Sequence, residues 1–175
     1  MQAREVASHL TGSFDDHTRG FLQVQQGCDH RCTFCIIPYG RGPSRSSAVN
    51  DVVENVRDMV ASGTKEVVLS GVDITSWGQD IEGRPRLGQL VQEILRAVPE
   101  LPRLRLSSLD PAEPDHALME VLASEARLMP HLHLSVQHGD DMILKRMKRR
   151  HLARDVLRFC EEARRRRSDV VFGAD

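Results

Sequence analysis

Two hydrophobic periods take turns along this chain. "GFLQVQQG", residues 20–27, sets apolar groups at alternate positions and ends in glycine, which predicts a half-buried strand. "SSAVNDVVENVRDMVASG", residues 46–63, then spaces Val49, Val52, Val53, Val56, Met59 and Val60 as one face of a helix, closed by Gly63. The pair recurs. "EVVLSG" (66–71) reads as a short buried strand, and "LGQLVQEILRAVPE" (87–100) as a helix that begins near Leu87 and stops before Pro102. "RLRLSSLD" (103–110) reads as one strand, and "EPDHALMEVLASEARL" (113–128) as a helix with Pro114 tolerated in its first turn. "HLHLSVQ" (131–137) is a further strand, in which His131 and His133 alternate with Leu132 and Leu134 and need no metal. A basic helical region follows from Asp140 to Arg167, broken near His151, and "DVVFGAD" (169–175) begins a fifth strand.

Strands alternating with helices of this length imply right-handed βαβ crossovers, hence an α/β fold with a parallel sheet, either open or curled into a barrel. Residues 1–19 are polar and lack a sustained period, so they are expected to be a linker or the remnant of an upstream region. In parallel βα architectures the ligand site lies beyond the carboxyl ends of the strands. Those ends carry Cys28, then Gly71 to Asp73, then Ser107 and Ser108, then Gln137 and His138, and the fold should gather them on one face.

Composition narrows the class. At 40% apolar and 28% charged residues the chain is an ordinary globular domain, not a disordered one. It has neither a secretory leader nor an apolar run near membrane length, so a cytoplasmic protein with no membrane partner is expected. The net charge of −1 conceals a segregation: from Lys145 to Arg167 there are eleven Lys or Arg against three acids. Such a segment suits an anionic partner, because cations release counterions from a phosphate backbone; a plain solvated basic helix has the same composition.

Three of the four cysteines crowd into "QQGCDHRCTFCIIPYGRG", residues 25–42. In a reducing compartment such a cluster is a metal or reactive site before it is a disulfide framework. The spacing Cys28-x3-Cys32-x2-Cys35 sets three soft ligands on one tight loop, which selects an iron–sulfur cluster, zinc or copper(I). Structural zinc wants four ligands, and there is no second CxxC pair; His30 or His17 would complete a Cys3His zinc site. Three thiolates with the fourth position unfilled also suit a cubane that reserves one iron for an outside ligand. Cys160, on the apolar face expected for Val156, Leu157 and Ala163, reads as a buried core thiol, and Trp77 as a loop anchor.

The CxxxCxxC string after the first strand of a repeated βα pattern resembles the radical S-adenosylmethionine (radical SAM) superfamily. The longer string "QQGCDHRCTFCIIPYGRGPSRS" is similar to its methylthiotransferase branch, as are "GVDITSWG", "RLRLSSLDP" and "SVQHGDDMILKRMKRRH". The resemblance covers residues 21–175 and implies a partial (βα) barrel with outer helices that is truncated in its fifth strand, over a core domain of residues 20–175. It implies that Cys28, Cys32 and Cys35 bind a [4Fe-4S] cluster whose fourth iron is chelated by the methionine part of S-adenosylmethionine. By the same resemblance Phe34 walls the cluster or the adenosine, Gly71 and Asp73 meet the methionine amino group, and Ser107 and Gln137 meet its carboxylate or the ribose. Arg41 and Arg45 would face the cofactor carboxylate or a nucleic-acid phosphate, or else be ordinary solvated arginines.

The activity implied is reductive cleavage of S-adenosylmethionine to a 5'-deoxyadenosyl radical, hydrogen abstraction and insertion of a methylthio group. "GVDITSWG" is most like the enzymes that act on N(6)-threonylcarbamoyladenosine beside the tRNA anticodon. Isopentenyladenosine of tRNA or a ribosomal-protein aspartate are the alternatives for the same chemistry. Partners implied are tRNA, through Lys145 to Arg167, and an electron donor protein; a second [4Fe-4S] cluster is expected only in a full-length protein with flanking domains. As a fragment, this chain is expected not to complete methylthiolation alone and to expose its last strand as an aggregation edge. A non-enzymatic zinc or iron–sulfur module, and a different radical enzyme, stand as rival classes.

Overall fold

The computed structural model describes residues 10–11, 18–112 and 115–175; His17 and Pro114 lie outside them. A two-residue strand, β1 (Leu10–Thr11), pairs antiparallel with β2 (Arg19–Gln26), so a strand sits within a segment whose sequence shows no period. After β2 come a one-turn helix, α1 (Ile37–Gly40), and a short strand, β3 (Arg45–Ser46), which returns antiparallel to the end of β2. α2 (Val49–Ala61) buries Val52, Val53, Val56 and Met59, the spacing expected. β4 (Glu66–Gly71) then lies parallel to β2, and after α3 (Leu87–Ala97) comes β5 (Arg103–Leu106), parallel to β4.

The segment 103–110 is two strands, not one. β6 (Ser108–Leu109) follows β5 after a break at Ser107, whose N–H still donates to Leu69 O at 3.0 Å. Beyond the break the chain leaves β4 and pairs parallel with β7 (His131–Leu134), which in turn pairs parallel with β8 (Val171–Ala174). A parallel bridge between Leu104 and Leu128 spans the seam. The break lets five parallel core positions share one curled surface, a half-barrel. The strand expected over residues 131–137 ends at Leu134, because the next residues turn: Val136 N–H bonds back to Leu134 O, and Gln137 takes φ +69°.

Helices cover one face of this sheet. Leu22, Val24, Val67, Leu69, Leu104, Leu106, Leu132 and Leu134 form the strand side of a single core with α2, α3, α4 (His116–Ser124) and α6 (Ala153–Arg166). α4 starts behind Asp115, whose side chain accepts from Leu118 N–H at 3.1 Å and from Gly88 N–H at 2.8 Å, so one carboxylate caps α4 and pins the start of α3. Trp77 is fully buried and donates to Ser47 O at 3.1 Å, the anchor expected of it. Leu157 is 64% exposed and so lies off the apolar face assigned to it, leaving Cys160 only half-buried against the core beside Val156.

The basic region does break at His151. α5 (Asp141–Arg146) ends ahead of it and α6 starts just after it, and His151 itself is fully buried, 3.3 Å from Asp110 Oδ1 and 3.0 Å from Val136 O. A helix carried through this position would drag a residue with two fixed ring contacts around its axis, so the chain turns instead.

Candidate functional site

The cysteine loop is built from a bulge in β2. The ladder between β2 and β4 shifts register between Gln23 and Gln25, and as a result Val24 and Gln25 are both buried although they are neighbours. Val24 joins the core. Gln25 points the other way in function: its amide donates to Gly27 O (2.8 Å) and Ser44 Oγ (2.9 Å), and its oxygen accepts from Asp73 N–H (2.8 Å). One side chain therefore ties the cysteine loop, the loop before β3 and the end of β4. Gly27 is the hinge between strand and loop. It holds φ +71°, and a Cβ there would collide with Pro43 O and lie 2.7 Å from Gly42 O, a space only glycine leaves.

From there Cys28 N–H bonds to Gly42 O (3.1 Å) and Cys35 N–H to Cys32 O (3.1 Å). The loop is fastened on its far side to the end of α5, with Thr33 N–H donating to Met147 O at 3.1 Å and its hydroxyl to Arg146 O at 3.4 Å. Two residues on, Arg149 Nη1 lies 3.6 Å from Cys32 Sγ, while Nη2 reaches Ser135 O (2.8 Å) and Asp110 Oδ2 (3.2 Å). Sequence reading found neither Gln25 nor the Asp110, Arg149 and His151 group. The available signal was polar residues at positions that the strand period and the fold would bury.

Cys28, Cys32, Phe34, Cys35, Asp73 and Gln137 come together around a cavity of about 180 Å³ that Val72, Ser108, Asp110, Ser135 and Arg149 also line. Phe34 stands at its edge, 53% exposed. Gln137 is fixed by its N–H to Asp175 O at 2.7 Å. Gly71 and Ser107 do not line it. Gly71 packs behind, where a Cβ would meet Ile74 and the Gln25 amide, and the Ser107 hydroxyl is buried without a partner at the strand break, leaving Ser108 to face the cavity. Arg41 and Arg45 brace their own loop: Arg41 donates to Gln26 Oε1 at 3.0 Å, and Arg45 to the carbonyls of Arg41 and Pro43. A larger cavity of about 300 Å³, bordered by His116, Met119 and Phe159 among others, shares no lining residue with this one.

Asp73 is the charged centre. Its Oδ2 accepts from Ser76 Oγ (2.6 Å) and lies 2.8 Å from His30 Nε2. Burial pushes its carboxyl up, but the contacts with His30 and Ser76 and the nearby charge of Arg150 hold it below the ordinary value. Cys28 moves the other way: burial raises its thiol, the His30 N–H lowers it, and the negative charge of Asp73 and of the other two cysteines raises it further. A buried thiol of this kind gives up its proton to a metal, not to water.

The description of the radical SAM superfamily matches residues 22–174, nearly the whole chain. The chain belongs to that superfamily. Over all 175 residues it is 54% identical to a threonylcarbamoyladenosine tRNA methylthiotransferase, MtaB, of Rickettsia prowazekii (strain Madrid E), of which it covers 42%. A tRNA-2-methylthio-N(6)-dimethylallyladenosine synthase of Bartonella henselae is 40% identical over 157 residues, 89% of this chain and 34% of that protein. The chain thus spans about two fifths of the first of these relatives and a third of the second. Among solved structures, the radical S-adenosylmethionine methyltransferase TsrM of Kitasatospora setae superposes with a TM-score of 0.68 at 19% identity over 89% of this chain and 30% of that one, a likeness of fold.

The donor set fits the [4Fe-4S] cluster of the radical SAM superfamily. Sulfurs sharing one zinc ion lie about 3.8 Å apart. Here the three cysteine sulfurs do not all fall within 4.8 Å of one another; among the described residues, the set that does is Cys28, His30 and Asp73. Thiols held apart around a cavity suit the separated corners of a cluster, and the His30 ring is turned to Asp73.

Proposed function

We propose that this chain is the cluster- and cofactor-binding core of a radical SAM methylthiotransferase that adds a methylthio group to N(6)-threonylcarbamoyladenosine next to the tRNA anticodon. The observation that carries it is the 54% identity to the MtaB enzyme over the whole of this chain, against 34 to 40% for dimethylallyladenosine synthases. Cys28, Cys32 and Cys35 would hold three irons, and Asp73 would receive the amino group of S-adenosylmethionine as a charge-assisted pair. When bound, the two groups supply one-electron cleavage of a sulfonium and hydrogen abstraction from an unreactive carbon.

The protein's own residues do the rest. Gln25 and Gly27 fix where the loop leaves the sheet, Phe34 shields the cavity edge, and Ser108 and Gln137 offer polar groups across from the cysteines. For tRNA, the basic segment divides. Arg167 is spent on the carbonyls of Leu122, Glu125 and Leu128, Arg165 and Arg166 pair with Glu162, and Arg164 covers Phe172. Lys145 and Arg146, at the end of α5, and Lys148, just after it, are exposed beside the contacts that grip the cysteine loop, and they would be the cations nearest the site to meet a phosphate backbone. A low-potential electron donor protein would be a separate partner, a second [4Fe-4S] cluster would be carried only by a full-length protein, and the work would be done in the cytoplasm; no helix among the described residues is long and apolar enough to cross a membrane.

One observation favours a second reading. Cys28, His30 and Asp73 have donor atoms within 4.8 Å of one another and would take a lone zinc ion. Anaerobic reconstitution with iron and sulfide separates the two: about four irons per chain, with a spectral change on adding S-adenosylmethionine, supports the cluster. Zinc at one per chain, with no sulfide, supports the other. The nucleoside is then tested with the full-length protein on tRNA with and without the threonylcarbamoyl group; methylthiolation of both alike would remove that substrate.

A further inference from the structure

Arg149 sits on the turn between α5 and α6, and its side chain is only 9% exposed. Nη2 is held by Ser135 O at 2.8 Å and Asp110 Oδ2 at 3.2 Å, and the planar fork then aims Nη1 at Cys32 Sγ, 3.6 Å away. Asp110 is itself fixed, accepting from Ala112 N–H at 3.0 Å and lying 3.3 Å from His151 and 3.6 Å from Arg150. The backbone of the same turn holds the cysteine loop through Thr33 and Met147. Cation and sulfur therefore ride on one rigid body. A clamp for Asp110 alone would not need a guanidinium nitrogen turned toward the thiol.

We propose that Arg149 is a positioning residue that donates an N–H to the Cys32 thiolate and so sets the reduction potential of the iron–sulfur cluster at that corner. This rests on the radical SAM reading of the three cysteines. Adding an electron makes a cluster and its sulfurs more negative, and a fixed positive donor stabilises that form more than the oxidised one. The cluster takes its single electron from an external low-potential donor; Arg149 moves no electron or proton.

The test is the midpoint potential of the reconstituted chain, with dithionite as reductant and the reduced cluster followed by electron paramagnetic resonance. Arg149→Gln is expected to bind iron as the wild type does and to lose about tenfold in the equilibrium constant for reduction, ~59 mV for one electron. Arg149→Lys, which keeps the charge but not the fork, should lose less, and Arg165→Gln, which removes an exposed cation paired with Glu162 on α6, should leave the potential where it was. An Arg149→Gln variant with full iron and the wild-type potential overturns the proposal, as does an Arg165→Gln shift of equal size. If the Gln variant takes up no iron, the Lys variant decides: a lowered potential supports the role, an unchanged one removes it. A wild-type chain that binds no four-iron cluster sinks the radical SAM reading itself, a distinguishable result.

Discussion

Asp73 Oδ2 lies 2.8 Å from His30 Nε2, so the carboxylate at the mouth of β4 already has an imidazole against it, drawn from between the cysteines. An amino group arriving at Asp73 would meet a carboxylate whose Oδ2 already faces that imidazole and Ser76 Oγ. Asp73→Asn keeps the shape and removes the charge. Affinity for S-adenosylmethionine, read from the spectral change of the reconstituted chain, is expected to fall about ten- to a hundredfold, with iron content unchanged.

Gln25→Ala removes a fully buried amide that serves Gly27 O, Ser44 Oγ and Asp73 N–H. Those groups stay out of water with nothing to replace it. The expected loss is about 2–4 kcal/mol, measured as a lowered denaturant midpoint. Iron uptake should fall with it, since the loop exit is no longer fixed.

Gly27→Ala meets both a φ of +71° and the carbonyls of Gly42 and Pro43. Strain of about 1–3 kcal/mol is the minimum, because the backbone oxygens cannot swing away as a side chain would. Iron bound per chain after reconstitution is expected to drop below half, while the far-ultraviolet circular dichroism of the helices is retained.

Glu66, at the other end of β4, lies against Arg19 (2.8 Å), Arg103 (3.2 Å) and Arg105 (2.7 Å). Burial raises its carboxyl, but the three guanidinium groups outweigh that and leave it below its ordinary value of 4.5. A carboxyl depressed on folding contributes stability that is full above the unfolded value and is lost as pH falls through the folded one. Glu66→Gln is expected to cost about 2 kcal/mol at neutral pH and to flatten the loss of stability below pH 4.5, read from denaturant unfolding at several pH values.

The strands and helices were legible because apolar residues at periods of two and near four have one way to be buried on each element; Val52, Val56, Leu132 and Leu134 are examples. The grouping of Cys28, Cys32 and Cys35 at one cavity was legible because three thiols within eight residues stay together in any fold. Three things were not. The break at Ser107 depends on which neighbour strand each half pairs with, a long-range fact absent from "RLRLSSLD". Gln25 looks like any strand polar residue until the bulge turns it inward. Arg149 was hidden inside a basic run, where composition assigns every cation to the surface, yet Asp110, 39 positions earlier, draws it into the site.

β4 is six residues long, so the Glu66 group and the cavity sit about 20 Å apart. Charges in water at physiological salt lose sight of one another beyond about 8 Å. The solvent-exposed Arg19 and Arg103 at the foot of the half-barrel are therefore largely screened from the sulfurs, and recharging the outer surface at that end to improve solubility or heat tolerance should leave the opposite rim little changed.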